Sequence, residues 1–212
     1  RDGMKLVRDM YIKIANEVFG KTKFEMKGHT FDLASEWVEI DYATEISKQT
    51  GIDIWSASDE DIKNKLKELN VKYDGENRER LMDTLWKVCR KNISGPAFLI
   101  NHPLLVAPLA KLNADGKTAQ VFQPIIAGSE IGRGYSELND PRVQRANFEQ
   151  QKKLIDAGDE EAMMPDYEFV EMLEHGMPPT CGYGFGDRLF AFLAGLPIRE
   201  TQLFPLIKPK AE

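Results

Sequence analysis

The chain has 212 residues, 34 acidic against 28 basic, and a net charge of −6. That length fits one domain or a large part of one. The absence of a basic block excludes a general nucleic-acid surface, and no apolar run reaches membrane-spanning length.

In chain order, residues 4–19 predict an amphipathic helix, because Met4, Val7, Tyr11, Ile14 and Val18 fall three or four apart. Phe24–Phe31 alternates around Lys27-Gly28 and predicts a hairpin. Asp41–Thr50 predicts a short helix closed by Gly51. Ser58 followed by Asp59, Glu60 and Asp61 is a helix cap with acids in the first turn, favourable to the macrodipole. Residues 76–92 predict a helix with Leu81, Leu85, Trp86 and Cys89 inward. The stretch 51–95 reads as a helical insertion between strands. Phe98–Asn101 and Gln120–Ala127 predict strands, and Asn113–Lys117 a turn. Ala146–Ala157 and Tyr167–Glu174 predict helices, and a last helix starts at Arg188.

Weaker signals have structural readings. Cys89 and Cys181 lie far apart without metal-ligand spacing and read as free thiols of a reducing cytosol. His29, His102 and His175 are too scattered for a metal cluster. Met163, Met164 and Met172 read as core fillers, and Phe190 and Phe192 as packing residues. Asp159–Glu161 reads as a solvated acidic turn, and Arg199 with Glu200 as a surface ion pair.

Two segments carry chemistry. Glu130-Ile-Gly-Arg-Gly-Tyr-Ser-Glu137 reads as strand. Alternation puts Arg133, Tyr135 and Glu137 on one face and Gly132, Gly134 and Ser136 on the other. Glu130 lies seven residues before Glu137, so a flat strand would point the two carboxylates apart. The glycines allow a bulge that could bring them together around a cation such as Mg²⁺. The plainer alternative is a polar strand edge with two solvated glutamates. In the second segment, Gly182, Gly184 and Gly186 recur at period two, with Tyr183 and Phe185 between them. One strand face would be bare, so that a planar ring could lie on the backbone. Arg188 follows, where its fork could reach a phosphate or stack on a base. The spacing does not match a dinucleotide fingerprint, and no G-K-[ST] loop is present. The alternative here is a glycine-rich strand packed tightly against a helix.

These segments, in order, resemble class II lysyl-tRNA synthetases. The likeness rests on E-I-G-R-G-Y-S-E-L-N-D-P-R-V-Q-R, A-G-D-E-E-A-M, L-E-H-G-M-P-P-T, the G-x-G-x-G-D-R segment and Ile198–Pro205. Phe19–Lys23, Phe98–Pro103 and Pro108–Lys111 also fit, and the likeness covers essentially the whole chain. It implies an α+β fold: an antiparallel sheet with flanking helices, the C-terminal part of a class II catalytic domain over 1–212. It implies lysine activation by ATP with Mg²⁺, then transfer to tRNA, by a cytoplasmic homodimer. Glu137 would pair with the lysine ε-ammonium and approach the metal, and Glu130 would be the other metal carboxylate. Tyr135 would line the lysine pocket. Gly182, Gly184, Gly186 and Arg188 would hold ATP, with Arg188 on phosphate.

Three local departures stand out. Arg133 occupies a position where many members have asparagine, and could bind the substrate carboxylate or repel the lysine side chain. The third motif is one residue short between Gly186 and Asp187. Leu105 and Ala107 stand where Glu and Ser are more usual. The chain begins past the family's second motif and anticodon-binding barrel. The expectation is therefore a fragment, inactive alone. The alternatives are a standalone lysine-binding or regulatory protein, or a paralogue that lysylates a target other than tRNA.

Overall fold

The computed structural model describes residues 1–73, 75, 77–158 and 162–204. The acidic turn at 159–161 and the end of the Ile198–Pro205 segment lie outside the described residues.

Helix α1 (Asp2–Phe19) buries Val7, Tyr11 and Ala15 and ends at Gly20 in the left-handed region. Val18 is 58% exposed. Ala15 continues the inward stripe from Tyr11 and leaves Val18 on the solvent side. Strands β1 (Lys23–Met26) and β2 (His29–Asp32) form the predicted hairpin. Lys27 and Gly28 both have positive φ, 51° and 78°, the geometry that matches the twist of paired strands. After β3 (Val38–Asp41) come three helices: α2 (Tyr42–Thr50), α3 (Asp59–Glu68) and α4 (Arg78–Cys89). Asp41 caps α2, Gly51 closes it, and Ser58 and Asp61 form a reciprocal capping box on α3.

Strands β4 (Ala97–Pro103), β5 (Thr118–Ile126), β6 (Ser129–Glu130) and β7 (Arg133–Ser136) follow. Then come α5 (Pro141–Asp156), α6 (Tyr167–Glu174), β8 (Cys181–Gly184) and α7 (Arg188–Ala194). Helix α5 starts ahead of the expected Ala146. Asp140 accepts from the Arg142 N–H and Pro141 fills the first turn, where its missing donor costs nothing.

The six-stranded sheet runs β3-β4-β5-β7-β8, with β6 also on β5. The fold is mixed helix and sheet, consistent with α+β. One pair departs from a wholly antiparallel sheet: β3 and β4 are parallel. Parallel neighbours need a long crossover, and α2–α4 supply it. The 51–95 stretch is part of that crossover. Ile62, Leu66, Leu81, Leu85 and Trp86 share one core with Ala97, Leu99 and Ile125 of the sheet. The opposite face packs on α1, the hairpin and α7 through Phe122, Ile126, Leu189 and Leu193.

The three methionines expected in the core are exposed: Met163 44%, Met164 80% and Met172 50%. Val170 and Leu173 take the inner face of α6, and Met163 and Met164 precede that helix. Phe192 packs against the core, whereas Phe190 is 37% exposed. Among the described residues, Arg199 and Glu200 form no ion pair. No described helix is long and apolar enough to cross a membrane.

Candidate nucleotide and amino-acid site

The glycine-rich strand does kink. Ile125 faces Glu130, and Phe122 faces Gly134. Three steps along β5 therefore match four along its partner, so one residue is extra. Gly132 takes up the bulge at φ 96°. The extra residue inverts the alternation and sets Glu130 on the same face as Arg133, Tyr135 and Glu137. Cross-strand partners share a face. Arg133 pairs with Gly184 and Tyr135 with Gly182, so the bare glycine positions join that face too.

Tyr183 points to the other side. Its ring stacks on Phe122 at 5.7 Å, and its hydroxyl hydrogen-bonds with that of Tyr11 at 2.6 Å. Its hydroxyl also donates to the Ile131 carbonyl at 3.0 Å. Burial pushes the Tyr183 hydroxyl up to about 12. Phe185 extends the stack at 5.9 Å from Tyr183.

The bulge puts the two carboxylates on one face, at different positions along the sheet. Glu130 sits opposite Ile125 and Tyr135 opposite Val121, with Glu137 two residues further on. At ideal strand rise the backbone positions of Glu130 and Glu137 are about 20 Å apart along the sheet. Each has its own surroundings. The Trp86 indole N–H donates to Glu130 Oε1 at 2.8 Å, and Arg90 Nε lies 3.7 Å from the same oxygen. Glu137 is half-buried, and burial pushes its carboxyl above the ordinary range. Its backbone N–H donates to the Thr180 carbonyl at 2.9 Å. A methyl built on Gly182 would sit 2.6 Å from Glu137 Oε1, so the carboxylate lies over the glycine. Tyr135 packs beside it on Ala107, Ala110, Ala119 and Val121. Among the described residues no group of three or more His, Cys, Asp or Glu could hold a metal.

Arg133 is exposed and donates to the Val106 carbonyl at 3.2 Å. Beneath this region His102 is buried, with Nε2 3.1 Å from Gln123 Oε1 and its ring 5.5 Å from that of Tyr42. Burial, and then the Arg133 charge, bring the imidazole down to about 3. His102 is therefore neutral, and its Nδ1 has no hydrogen-bond partner. His29 bonds Ser94 and the Lys91 carbonyl at the surface. Cys89 is buried, its thiol raised to about 11 by desolvation, and Cys181 is exposed.

At the bulge end of the strands, Lys27, Arg90, Ser129, Glu130, Arg188 and Phe192 line a cleft of about 420 Å³. Glu130 and Arg188 both line this cleft, and Gly184 and Gly186 lead the chain towards Arg188. Lys27 and Arg90 carried no sequence signal for it. Trp86 was read only as an inward helix residue, although an indole N–H on such a face needs a polar partner.

This chain matches the family described as tRNA synthetases class II (D, K and N) over residues 1–208. It belongs to that family. Within it, the chain is 38% identical over 212 residues to the lysine–tRNA ligase of Thermotoga sp. (strain RQ2), covering 99% of this chain and 42% of that protein. It is 37% identical over 215 residues to the lysine–tRNA ligase of Roseiflexus sp. (strain RS-1), covering 99% of this chain and 44% of that one. The lysine–tRNA ligase of Porphyromonas gingivalis (strain W83) is 34% identical over 212 residues, with 98% and 37% covered. The chain therefore spans well under half the length of these relatives.

Proposed function

We propose that the intact protein activates lysine with ATP and transfers it to tRNA, and that this chain carries the lysine pocket and part of the nucleotide site. The observation that carries this reading is Glu137: a half-buried carboxylate beside Tyr135, lying over bare Gly182. Such a group suits a primary ammonium, because a desolvated charge-assisted pair rejects ligands that lack the amine. The sheet is then that of a class II catalytic domain, with 51–95 as its helical insertion. The intact protein works as a cytoplasmic homodimer, as the resemblance implies.

In this reading Glu137 holds the ε-ammonium and Tyr135 lines the stem. Adenine lies on the bare face of Gly184, with Gly186 at its end and Gly182 left to the Glu137 carboxylate. Arg188 neutralises phosphate charge. The substrate carboxylate attacks the α-phosphorus, forming an acyl–phosphate bond as the bond to pyrophosphate breaks and pyrophosphate leaves. The tRNA hydroxyl then attacks the acyl carbon and AMP leaves. The protein contributes position and charge neutralisation, with no general base needed in the first step. Glu130 and Glu137, on one face of the sheet, would be the carboxylates available to the family's Mg²⁺. The test is lysine-dependent ATP–pyrophosphate exchange by the intact protein. Exchange that responds to another amino acid, or to none, defeats the proposal.

A further inference from the structure

One cluster of chemically capable side chains takes no part in the proposed reaction. It joins the β1–β2 hairpin to the loop between α4 and β4. His29 opens β2, and its ring is held at both nitrogens: Nδ1 lies 2.9 Å from Ser94 Oγ, and Nε2 lies 3.0 Å from the Lys91 carbonyl oxygen. A carbonyl only accepts, so Nε2 carries the proton of the neutral ring. Nδ1 is then a bare lone pair, and the Ser94 hydroxyl donates to it. The serine is fixed as firmly as the base. The Ala127 N–H donates to the Ser94 carbonyl at 2.7 Å, and the Gly128 N–H donates to the Ile93 carbonyl at 2.9 Å. Gly95 follows at φ 71°, where a methyl would run into the Ile125 carbonyl oxygen. Ser94 is exposed and His29 is partly so, and a ligand can reach the pair from solvent.

We propose that Ser94 is an acyl-acceptor site, with His29 as its general base and the Lys91 carbonyl as the group that orients the base. A serine hydroxyl is a weak nucleophile until an adjacent base takes its proton. The recurring arrangement is a nucleophile, a base within hydrogen-bond reach and a third group that fixes the base, and all three are present here. Ser94 Oγ attacks the acyl carbon while its proton passes to His29 Nδ1. The ester bond to Oγ forms, the bond to the leaving oxygen breaks, and the imidazolium returns the proton to that oxygen. Atoms and charge balance with no further reactant. The pair supplies a base only, so the electrophile must bring its own good leaving group. That selects activated esters and acyl phosphates over amides. A purely structural bridge from hairpin to loop has the same distances but an ordinary serine.

The intact protein is treated with p-nitrophenyl acetate at neutral pH and quenched in acid after short times, and acetylated peptides are quantified by mass spectrometry. Ser35 is the internal control: it is exposed and donates to the Asp32 carbonyl at 2.7 Å, with no base beside it. We expect Ser94 to be acetylated about a hundredfold faster than Ser35, the lower end of what a positioned general base contributes. His29→Gln removes the base and keeps a side chain that can hydrogen-bond, and it should bring Ser94 down to about the Ser35 rate. Ser94→Ala should remove the modification from its peptide. Melting temperatures of both variants check the fold. Acetylation of Ser94 at the Ser35 rate, or equally fast in wild type and His29→Gln, overturns the proposal and leaves the pair as a structural bridge. If His29→Gln melts early, the wild-type comparison of Ser94 with Ser35 decides alone. Neither result bears on the lysine and nucleotide reading, which uses none of these residues.

Discussion

The two faces of the β7–β8 ribbon use the same residue type for opposite purposes. On one face Gly134 is covered: a methyl built there would sit 2.3 Å from Phe122 Cζ. On the other face a methyl at Gly184 would meet only the Arg133 carbonyl oxygen, at 4.0 Å. The first glycine is required by packing. The second is not, and space left open beside Arg133, Tyr135 and Glu137 is space for a ligand. A strand with glycines on both faces cannot be sorted by composition. The neighbours do the sorting.

Substitutions on each face test that difference. The largest effect is expected from Glu137→Gln on the open face. In the intact protein it should lower lysine-dependent pyrophosphate exchange by about two to three orders of magnitude, since an amide loses the charge that selects an amine. The melting temperature should barely move. Exchange near wild type would remove Glu137 from the lysine pocket. On the packed face, Gly134→Ala should cost about 1–3 kcal/mol, because the Phe122 ring must leave its stack with Tyr183. Urea denaturation of the chain measures it, and a change below about 0.5 kcal/mol would show that the ribbon is loosely packed.

Much of this architecture was legible in the sequence where a local signal had one reading. Lys27-Gly28 fixed the hairpin turn, Ser58 with Asp61 the α3 cap, and Gly51 the end of α2. The bulge was also legible, as a possibility, from Gly132 and Gly134. Its consequence was not. Bringing Glu130 onto the face of Glu137 is a parity change, set by where the extra residue falls against β5. The parallel β3–β4 pair depends on how a helical crossover returns to the sheet, and no residue in either strand encodes that. Lys27 and Arg90 reach the cleft from elements 63 residues apart in sequence, so no motif could join them. The methionines failed for a simpler reason: apolarity is a weak guide when Val170 and Leu173 already fill a short helix's inner face.

Below the open face, His102 gives a pH dependence of intermediate size. Folding lowers its pKa from 6.5 to about 3. The native state therefore binds fewer protons than the unfolded chain between these values. Its contribution to stability is full above the unfolded pKa and is lost as pH falls through 6.5 towards 3. The slope cannot exceed about 1.4 kcal/mol per pH unit for one proton. In His102→Gln the fall in denaturation free energy between pH 6.5 and 4.5 should be shallower by part of that slope. An unchanged slope would mean that other groups carry the acid sensitivity.

The smallest expected effect on the fold is at Gly184, and it is the most discriminating. Val suits a strand better than Gly does, the position has room, and β8 is an edge strand. Gly184→Val should therefore change stability by no more than about 0.5 kcal/mol. If adenine lies on this face, the isopropyl group occupies the plane of the ring. The KM for ATP of the intact protein should then rise about tenfold, as from loss of roughly 1.4 kcal/mol of contact, with the KM for lysine nearly unchanged. Equal increases for both substrates, together with a lower melting temperature, would return Gly184 to the same class as Gly134, a glycine kept for packing, and the open face would lose its claim on the nucleotide.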